Sequence, residues 1–186
     1  QLKWFNRLIK PLSLLFTLLI FTSDPFSQLP VISIDKHRNE KIIETKESSD
    51  CTVSVIEDAY GINIKINSNY GLGSTGAYEL ERLQGVIPMY VSPTSESVFF
   101  LGIGTGITAG SILDKEFKNV KNITSCELVP EVITAAKKYF TNYQNKDYTN
   151  GLFSDTRSTV IAEDGRHYLF ASKKKYDIIN SDLFVP

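Results

Sequence analysis

One short stretch of the sequence, residues 98–106, constrains the fold more than any other. An apolar run of strand length leads directly into three glycines at alternate positions, Gly102, Gly104 and Gly106. Glycine tolerates positive φ and has no Cβ, so a tight turn built from it lets a ligand approach the backbone closely. The stretch therefore predicts a strand that ends in a nucleoside-binding loop.

The spacing of these glycines narrows the class of ligand. The dinucleotide fingerprint Gly-x-Gly-x-x-Gly requires a third glycine at the position where this chain has Ile107. NAD and FAD therefore fit the loop less well than an adenosyl-sulfonium ligand does.

Three further strand patterns follow the loop, and helical patterns separate them. We predict strands over Asn122–Cys126, Ser158–Ala162 and Tyr176–Ser181, and helices over Thr108–Phe117, from Pro130, and over His167–Ala171. Alternating strands and helices are typical of a parallel sheet covered by helices. The sequence therefore predicts an α/β fold in which all four strand ends meet at one sheet edge.

Acidic residues stand at three of these strand ends. Glu127 stands at the end of the second strand, where an acid can accept hydrogen bonds from ribose hydroxyls. Its alternative role is to cap the helix that begins at Pro130. Asp164 follows the third strand and could hold an adenine amino group or cap the next helix. Asp182 follows the fourth strand, beside the expected ligand crevice, or else caps a loop.

Several motifs together resemble the spermidine synthases, or polyamine aminopropyltransferases. They are Leu-Gly-Ile-Gly-Thr-Gly at the loop, Glu-Leu-Val-Pro-Glu-Val from Glu127, Glu-Asp-Gly-Arg from Glu163, and Tyr-Asp-Ile-Ile-Asn-Ser-Asp from Tyr176. The resemblance runs from about Thr52 to the end of the chain. The loop and the closing Ser-Asp-Leu-Phe-Val-Pro are most similar to a bacterial branch in which this domain follows membrane-spanning segments. The resemblance implies a Rossmann-like, S-adenosylmethionine-dependent methyltransferase-type fold.

The resemblance also implies a reaction and a set of roles. In that family, decarboxylated S-adenosylmethionine is a co-substrate that donates an aminopropyl group to putrescine, and methylthioadenosine is released; no cofactor is bound permanently. By resemblance, the three loop glycines and Glu127 bind the donor, with Glu127 on the ribose. Asp164 with Gly165 lies at the adenine, and Asp182 is the base that deprotonates the attacking amine.

Two departures from the family pattern remove negative charge from the expected site. The soluble synthases carry an acid in the glycine loop where this chain has Thr105, and a second acid where it has Val185. The family's aromatic-polar pair before the first strand falls on Leu80 and Glu81. Glu81 could replace the lost charge and bind substrate, or it could lie on a solvated helix face.

Two other functions stay open at this stage. A methyltransferase shares the fold and the adenosine half of the donor, although many such enzymes carry an acid where this chain has Phe100. A noncatalytic nucleoside-binding domain attached to a membrane protein is the other alternative, which Thr105 and Val185 favour.

The part before the glycine loop is organised as three segments. Residues 1–27 contain a basic flank and an apolar run of about 12 residues, shorter than the roughly 20 that span a bilayer, and we expect a membrane-proximal segment. Residues 28–50 are predicted to be a linker, and residues 51–76 a β-hairpin unit with a flexible glycine-containing loop. Residues 77–186 would then form the aminopropyltransferase domain, membrane-associated and on the cytoplasmic side. By resemblance, the hairpin unit contributes to a homodimer.

Composition excludes some classes of partner. A formal net charge of −1 over 186 residues argues against a dedicated nucleic-acid binder. The family resemblance implies a small-molecule polyamine as partner. The two cysteines and two histidines lack metal-ligand spacing, and we predict no metal site. Because the chain begins at Gln1 and stops at Pro186, directly after the fourth strand, we expect a piece of a longer protein, truncated at both ends.

Overall fold

The computed structural model of the protein describes residues 35–48, 51–67 and 70–181, which carry two four-stranded sheets. The predicted membrane-proximal segment and the first part of the predicted linker lie outside these residues, as do Asp182 and Val185. Across the described ranges, no helix has the length and apolar character needed to cross a bilayer.

The first sheet is antiparallel and has the strand order β1-β2-β3-β4. Its strands are β1 (Lys41–Glu47), β2 (Thr52–Asp58), β3 (Gly61–Ile66) and β4 (Tyr70–Ser74). The predicted hairpin is confirmed as the β2–β3 pair, in which Asp58 lies opposite Gly61. A four-stranded sheet thus stands where the sequence predicts a two-stranded unit.

The second sheet is parallel and has the order β7-β6-β5-β8. Its strands are β5 (Ser97–Leu101), β6 (Asn122–Glu127), β7 (Ser158–Ala162) and β8 (Ile178–Ser181). The glycine-loop strand β5 lies between β6 and β8, and its middle residues are fully buried. Because all pairs are parallel, the four carboxyl ends meet at one edge, as predicted.

Helices connect and cover the strands. They are α1 (Tyr78–Val91), α2 (Ile107–Gly110), α3 (Pro130–Ala135) and α4 (Gly165–Ala171). A 3₁₀ turn over Ser111–Leu113 extends α2, a π turn over Ala136–Phe140 extends α3, and short 3₁₀ turns span Lys36–Arg38 and Thr75–Ala77.

Two apolar clusters hold these layers together. One lies between the parallel sheet and helices α1 and α2, and includes Val86, Phe100 and Ile112. The other joins the antiparallel sheet to α3 and its π turn, with Val55 of β2 and Phe140 both buried. Burial of apolar side chains is the main stabilising term for such layers, so the antiparallel unit is part of the domain core.

The structure corrects two predictions about the segment before α1. Strand β1 occupies residues for which the sequence predicts a linker, and it pairs with β2 from Lys41 to Glu47, with a register shift between Ile42 and Glu44. The glycine-containing stretch predicted to be a flexible loop forms β4 and the 3₁₀ turn of Thr75–Ala77. Strand β1 gains its ladder hydrogen bonds from β2, and β4 gains its own from β3, and the composition of each segment by itself does not reveal this pairing.

The helix predicted over Thr108–Phe117 is shorter in the structure. Regular helix ends at Gly110, the 3₁₀ turn follows, and Asp114 is extended with φ −57° and ψ 149°. Phe117 is buried and packs edge-on against the Tyr90 ring, with 5.7 Å between ring centroids. The chain thus leaves the helix before Phe117, at Asp114.

Candidate functional site

The glycine loop between β5 and α2 has the backbone that the sequence predicts. All three glycines have positive φ, with values of 94° at Gly102, 54° at Gly104 and 82° at Gly106. Gly104 comes close to the first sheet, since a Cβ there would lie 3.0 Å from the carbonyl oxygen of Leu72. Side chains are disfavoured at such φ values, so these positions require glycine.

Glu127, at the end of β6, is buried against this loop with only 6% of its surface exposed. Its Oε2 accepts hydrogen bonds from the backbone N–H groups of Ile103 (3.0 Å) and Gly104 (3.3 Å). Its Oε1 accepts from the N–H of Val129, which precedes α3, at 3.1 Å. Glu127 thus ties the loop to the residue before α3. It does not cap this helix, because no side chain accepts a capping hydrogen bond at its start, and its contact with the ribose stays a prediction.

A cavity of about 340 Å³ opens beside the loop at the carboxyl edge of the sheet. Its walls come from β4, the 3₁₀ turn before α1, α1, the β5–loop junction, α2 and β8. The residues are Gly71, Leu72, Gly73, Ala77, Leu80, Glu81, Gln84, Phe100, Leu101, Gly102, Ile103, Gly104, Thr108 and Asn180. This volume is within the usual range for small-molecule sites, and the edge is where open α/β sheets bind ligands.

Glu81 reaches this cavity from α1. Its Oε1 accepts a hydrogen bond from the backbone N–H of Ser74 in β4 at 2.7 Å. Its Oε2 accepts a short hydrogen bond from the hydroxyl of Thr105, which is buried in the glycine loop. Glu81 therefore lies at the cavity wall and connects the helix, the first sheet and the loop.

Asp164 and Gly165 lie at the start of α4 and do not line this cavity. The Asp164 carboxylate accepts hydrogen bonds from the backbone N–H of Arg166 (2.8 Å) and His167 (3.4 Å), so the alternative capping role is present. The hydrogen bond from the Arg166 side chain lowers the pKa of Asp164 to about 2, and the carboxylate is charged at neutral pH.

Gly165 has a packing role. A Cβ at this position would lie 2.3 Å from Cδ1 of Leu101 and 3.2 Å from Cβ of Cys126, both in the parallel sheet. The glycine therefore lets α4 begin directly against β5 and β6. Its predicted contact with the donor stays a prediction.

Asn180 and Gln84 are cavity residues that the sequence analysis missed. Asn180 lies in β8, and its side-chain amide donates to the backbone carbonyl of Gln84 in α1 at 2.9 Å. This hydrogen bond joins two elements that are 96 residues apart in the sequence. Only the strand order could place them together; Asp182, two residues after Asn180, lies outside the described residues.

The structure also describes the buried cysteine Cys126 and the side chains that could bind a metal. Burial raises the pKa of the Cys126 thiol to about 11, so this residue is a small buried apolar group, as predicted. Within residues 35–48, 51–67 and 70–181, no group of three or more histidine, cysteine or acidic side chains could hold a metal ion.

Comparison with known proteins gives consistent matches. A family model described as "Spermine/spermidine synthase domain" matches residues 81–186. The polyamine aminopropyltransferase of Buchnera aphidicola is 31% identical over 100 residues, which cover 54% of this chain and 32% of that protein. The polyamine aminopropyltransferase of Sulfurisphaera tokodaii is 33% identical over 91 residues, covering 49% of this chain and 28% of that protein.

Solved structures of similar fold are spermidine synthases. One, in complex with the transition state analogue AdoDATO, matches with a TM-score of 0.66 over 76% of this chain and 47% of its own. Another, from Thermotoga maritima, matches with a TM-score of 0.67 over 78% of this chain and 48% of its own. Both are 22% identical to this chain, and they confirm the predicted Rossmann-like methyltransferase-type α/β fold. The matched stretch spans about a third of the curated relatives and about half of the solved chains.

Proposed function

The chain belongs to the spermine/spermidine synthase family, and from this membership we propose that the protein transfers an aminopropyl group from decarboxylated S-adenosylmethionine to an amine. Putrescine or a related polyamine is the proposed acceptor, and methylthioadenosine is the second product. The proposal extends to this chain the name that its curated relatives carry, polyamine aminopropyltransferase.

One observation carries the proposal: a buried carboxylate and a cavity lie on the same glycine loop. Glu127 accepts hydrogen bonds from the loop N–H groups of Ile103 and Gly104, and these two residues also line the cavity. A carboxylate has about four acceptor positions, and Glu127 uses three of them for backbone N–H groups, so one remains for a ribose hydroxyl. A nucleoside bound there would direct its sulfonium arm into the cavity.

The proposed chemistry is a displacement at carbon. The acceptor nitrogen attacks the carbon next to the sulfonium, the carbon–sulfur bond breaks, and its electron pair neutralises the sulfur. An alkylammonium with a pKa of about 10 must first lose a proton, and we assign that proton to Asp182. The residues of the site therefore orient two substrates and accept one proton.

The test is product analysis with the purified full-length protein, putrescine and either donor. We expect methylthioadenosine from decarboxylated S-adenosylmethionine, measured by mass spectrometry. Glu127→Gln should weaken donor binding by about 10- to 100-fold, because the amide has one acceptor oxygen where the carboxylate has two. Calorimetric titration of the donor gives this affinity.

Glu131→Gln is the matched control, since it removes the same charge in the first turn of α3 and should leave donor binding within about twofold. S-adenosylhomocysteine formed from ordinary S-adenosylmethionine would assign the protein to the methyltransferases. Donor binding without either nucleoside product would leave a noncatalytic nucleoside-binding domain.

We also propose that residues 1–27 attach the protein to a membrane, with the catalytic domain on the cytoplasmic side, and that the protein is a homodimer. The basic flank and apolar run of the N-terminal segment support the attachment. The protein should sediment with membranes and resist extraction at high pH, and deletion of residues 1–27 should release it. Recovery of the intact protein in the soluble fraction would contradict the membrane attachment.

The homodimer is tested separately, by measuring the molar mass of the purified protein with light scattering.

A further inference from the structure

An asparagine occupies a core-facing position of strand β8 at the cavity. The strand alternates between half-buried and exposed residues, and Asn180 shares the half-buried face with Ile178, which packs against the apolar cluster that contains Phe100. In the register of the parallel sheet, Asn180 lies opposite Phe100, just before the glycine loop. A polar side chain on the core-facing side of a strand is costly unless its hydrogen-bonding groups find partners.

Only one end of the Asn180 amide has a partner among the described residues. Its Nδ2 donates to the backbone carbonyl oxygen of Gln84 in α1 at 2.9 Å. A carbonyl oxygen can only accept, so this hydrogen bond fixes which end of the amide faces α1. The Oδ1 oxygen lies at the other end and accepts no hydrogen bond from residues 35–48, 51–67 or 70–181. The side chain thus brings a fixed and unused acceptor to the cavity wall.

The surroundings of this acceptor favour a hydrogen-bond donor on an aliphatic chain. Leu72 of β4, Leu80 of α1 and Leu101 of β5 line the same cavity, where they can pack against methylene groups. An amide oxygen accepts from an N–H or O–H group and gives nothing favourable to an apolar or anionic one. The position of Asn180 therefore selects a ligand that carries an N–H or O–H group next to an apolar chain.

We infer that Oδ1 of Asn180 accepts a hydrogen bond from the attacking amine and thereby orients it. This inference rests on the proposed function, in which the acceptor nitrogen attacks the carbon next to the sulfonium. A primary amine that has lost its extra proton keeps its N–H groups and gains a free lone pair. With one N–H group directed to Oδ1, the lone pair can point at the carbon, and holding the reacting atoms in this geometry lowers the barrier.

The test compares Asn180→Leu with Asn180→Asp in the full-length protein. Leucine has no acceptor oxygen, so we expect kcat/KM for putrescine, measured at saturating donor, to fall by about 10- to 100-fold. Aspartate lacks the amide donor but keeps an acceptor oxygen, and its kcat/KM should stay within about fivefold of the wild-type value. Both variants lose the hydrogen bond to Gln84. Equal loss of activity in both would give Asn180 only the role of tying β8 to α1, and this result overturns the inference.

Asn119→Leu is the matched control. Asn119 also donates to a backbone carbonyl, that of Pro93 at 3.1 Å, but it is exposed and does not line the cavity. Its kcat/KM for putrescine should stay within about twofold of the wild-type value. Donor affinity, measured by calorimetric titration, should stay within about threefold in all three variants, since none of them removes a proposed contact with the nucleoside.

A second titration, of putrescine into protein saturated with methylthioadenosine, separates this inference from the proposed function. The measurement needs no turnover, and we expect Asn180→Leu to bind putrescine about 10-fold more weakly than the wild-type protein does. Equal putrescine affinities would overturn the inference. Weaker binding by this variant, together with a wild-type protein that forms no methylthioadenosine, would contradict the proposed transfer and leave the amine position at Asn180 intact.

Discussion

Replacing Asp182 by asparagine is expected to lower the rate of methylthioadenosine formation by about 10²- to 10⁴-fold, the usual contribution of a general base. The acceptor must lose a proton before its nitrogen can attack, and asparagine cannot take that proton. Asn180, two residues earlier in the chain, lines the cavity from β8, and β8 ends next to the glycine-loop strand, with Ser181 opposite Leu101. The initial rate with saturating donor and acceptor is the measurement.

The pH dependence of this variant separates a base from a residue that only binds. If Asp182 removes the proton, the activity that remains in Asp182→Asn should rise with pH, because more of the amine is then unprotonated in solution. Donor affinity should change by less than about threefold. A variant with the wild-type rate would contradict the assignment of the base.

Asp177→Asn is the control for loss of an acid near β8. Asp177 lies just before the amino end of β8, where its Oδ2 accepts from the N–H groups of Glu96 (2.8 Å) and Ser97 (2.9 Å). These hydrogen bonds lower the pKa of Asp177, and the asparagine oxygen can still accept both of them. We expect the rate of Asp177→Asn to stay within about twofold of the wild-type rate.

Gly110→Ala should destabilise the domain by at least about 3 kcal/mol, at the upper end of the cost of overpacking a core. A Cβ at Gly110 would lie 1.9 Å from the carbonyl oxygen of Thr149 and 2.6 Å from its carbonyl carbon. Thr149 is fully buried, so these backbone atoms have no free space into which to move. The free energy of unfolding, measured in urea, should fall accordingly, or the variant should fail to fold.

Gly71→Ala provides the comparison for this substitution. Its added Cβ would have no heavy atom within 4 Å, and its φ is outside the left-handed region. The free energy of unfolding should therefore change by less than about 0.5 kcal/mol. Equal stability of the two variants would show that the close approach of α2 to Thr149 is not a determinant of stability.

Much of the parallel sheet can be predicted from the sequence, because its signals are local. The apolar run of β5 followed by three glycines specifies a buried strand and a loop with positive φ, and both are present. The positions of β6 and β7 are also confirmed within one residue. Strand and glycine signals depend on residues that are adjacent in the chain, so the sequence by itself determined the α/β core and the place of Glu127 at the end of a strand.

The residues of the cavity wall were decided by the tertiary structure. Glu81 meets Thr105 across 24 residues of sequence, and Asn180 meets Gln84 across 96. Neither pair has a local signal, because the contacts arise from the order of the strands and the packing of α1 beside them. Only the tertiary structure placed the Glu81 carboxylate at the cavity, where the sequence had left open a solvated helix face. It also turned the predicted linker into β1, since a strand with few apolar side chains is stabilised by its partner's ladder hydrogen bonds.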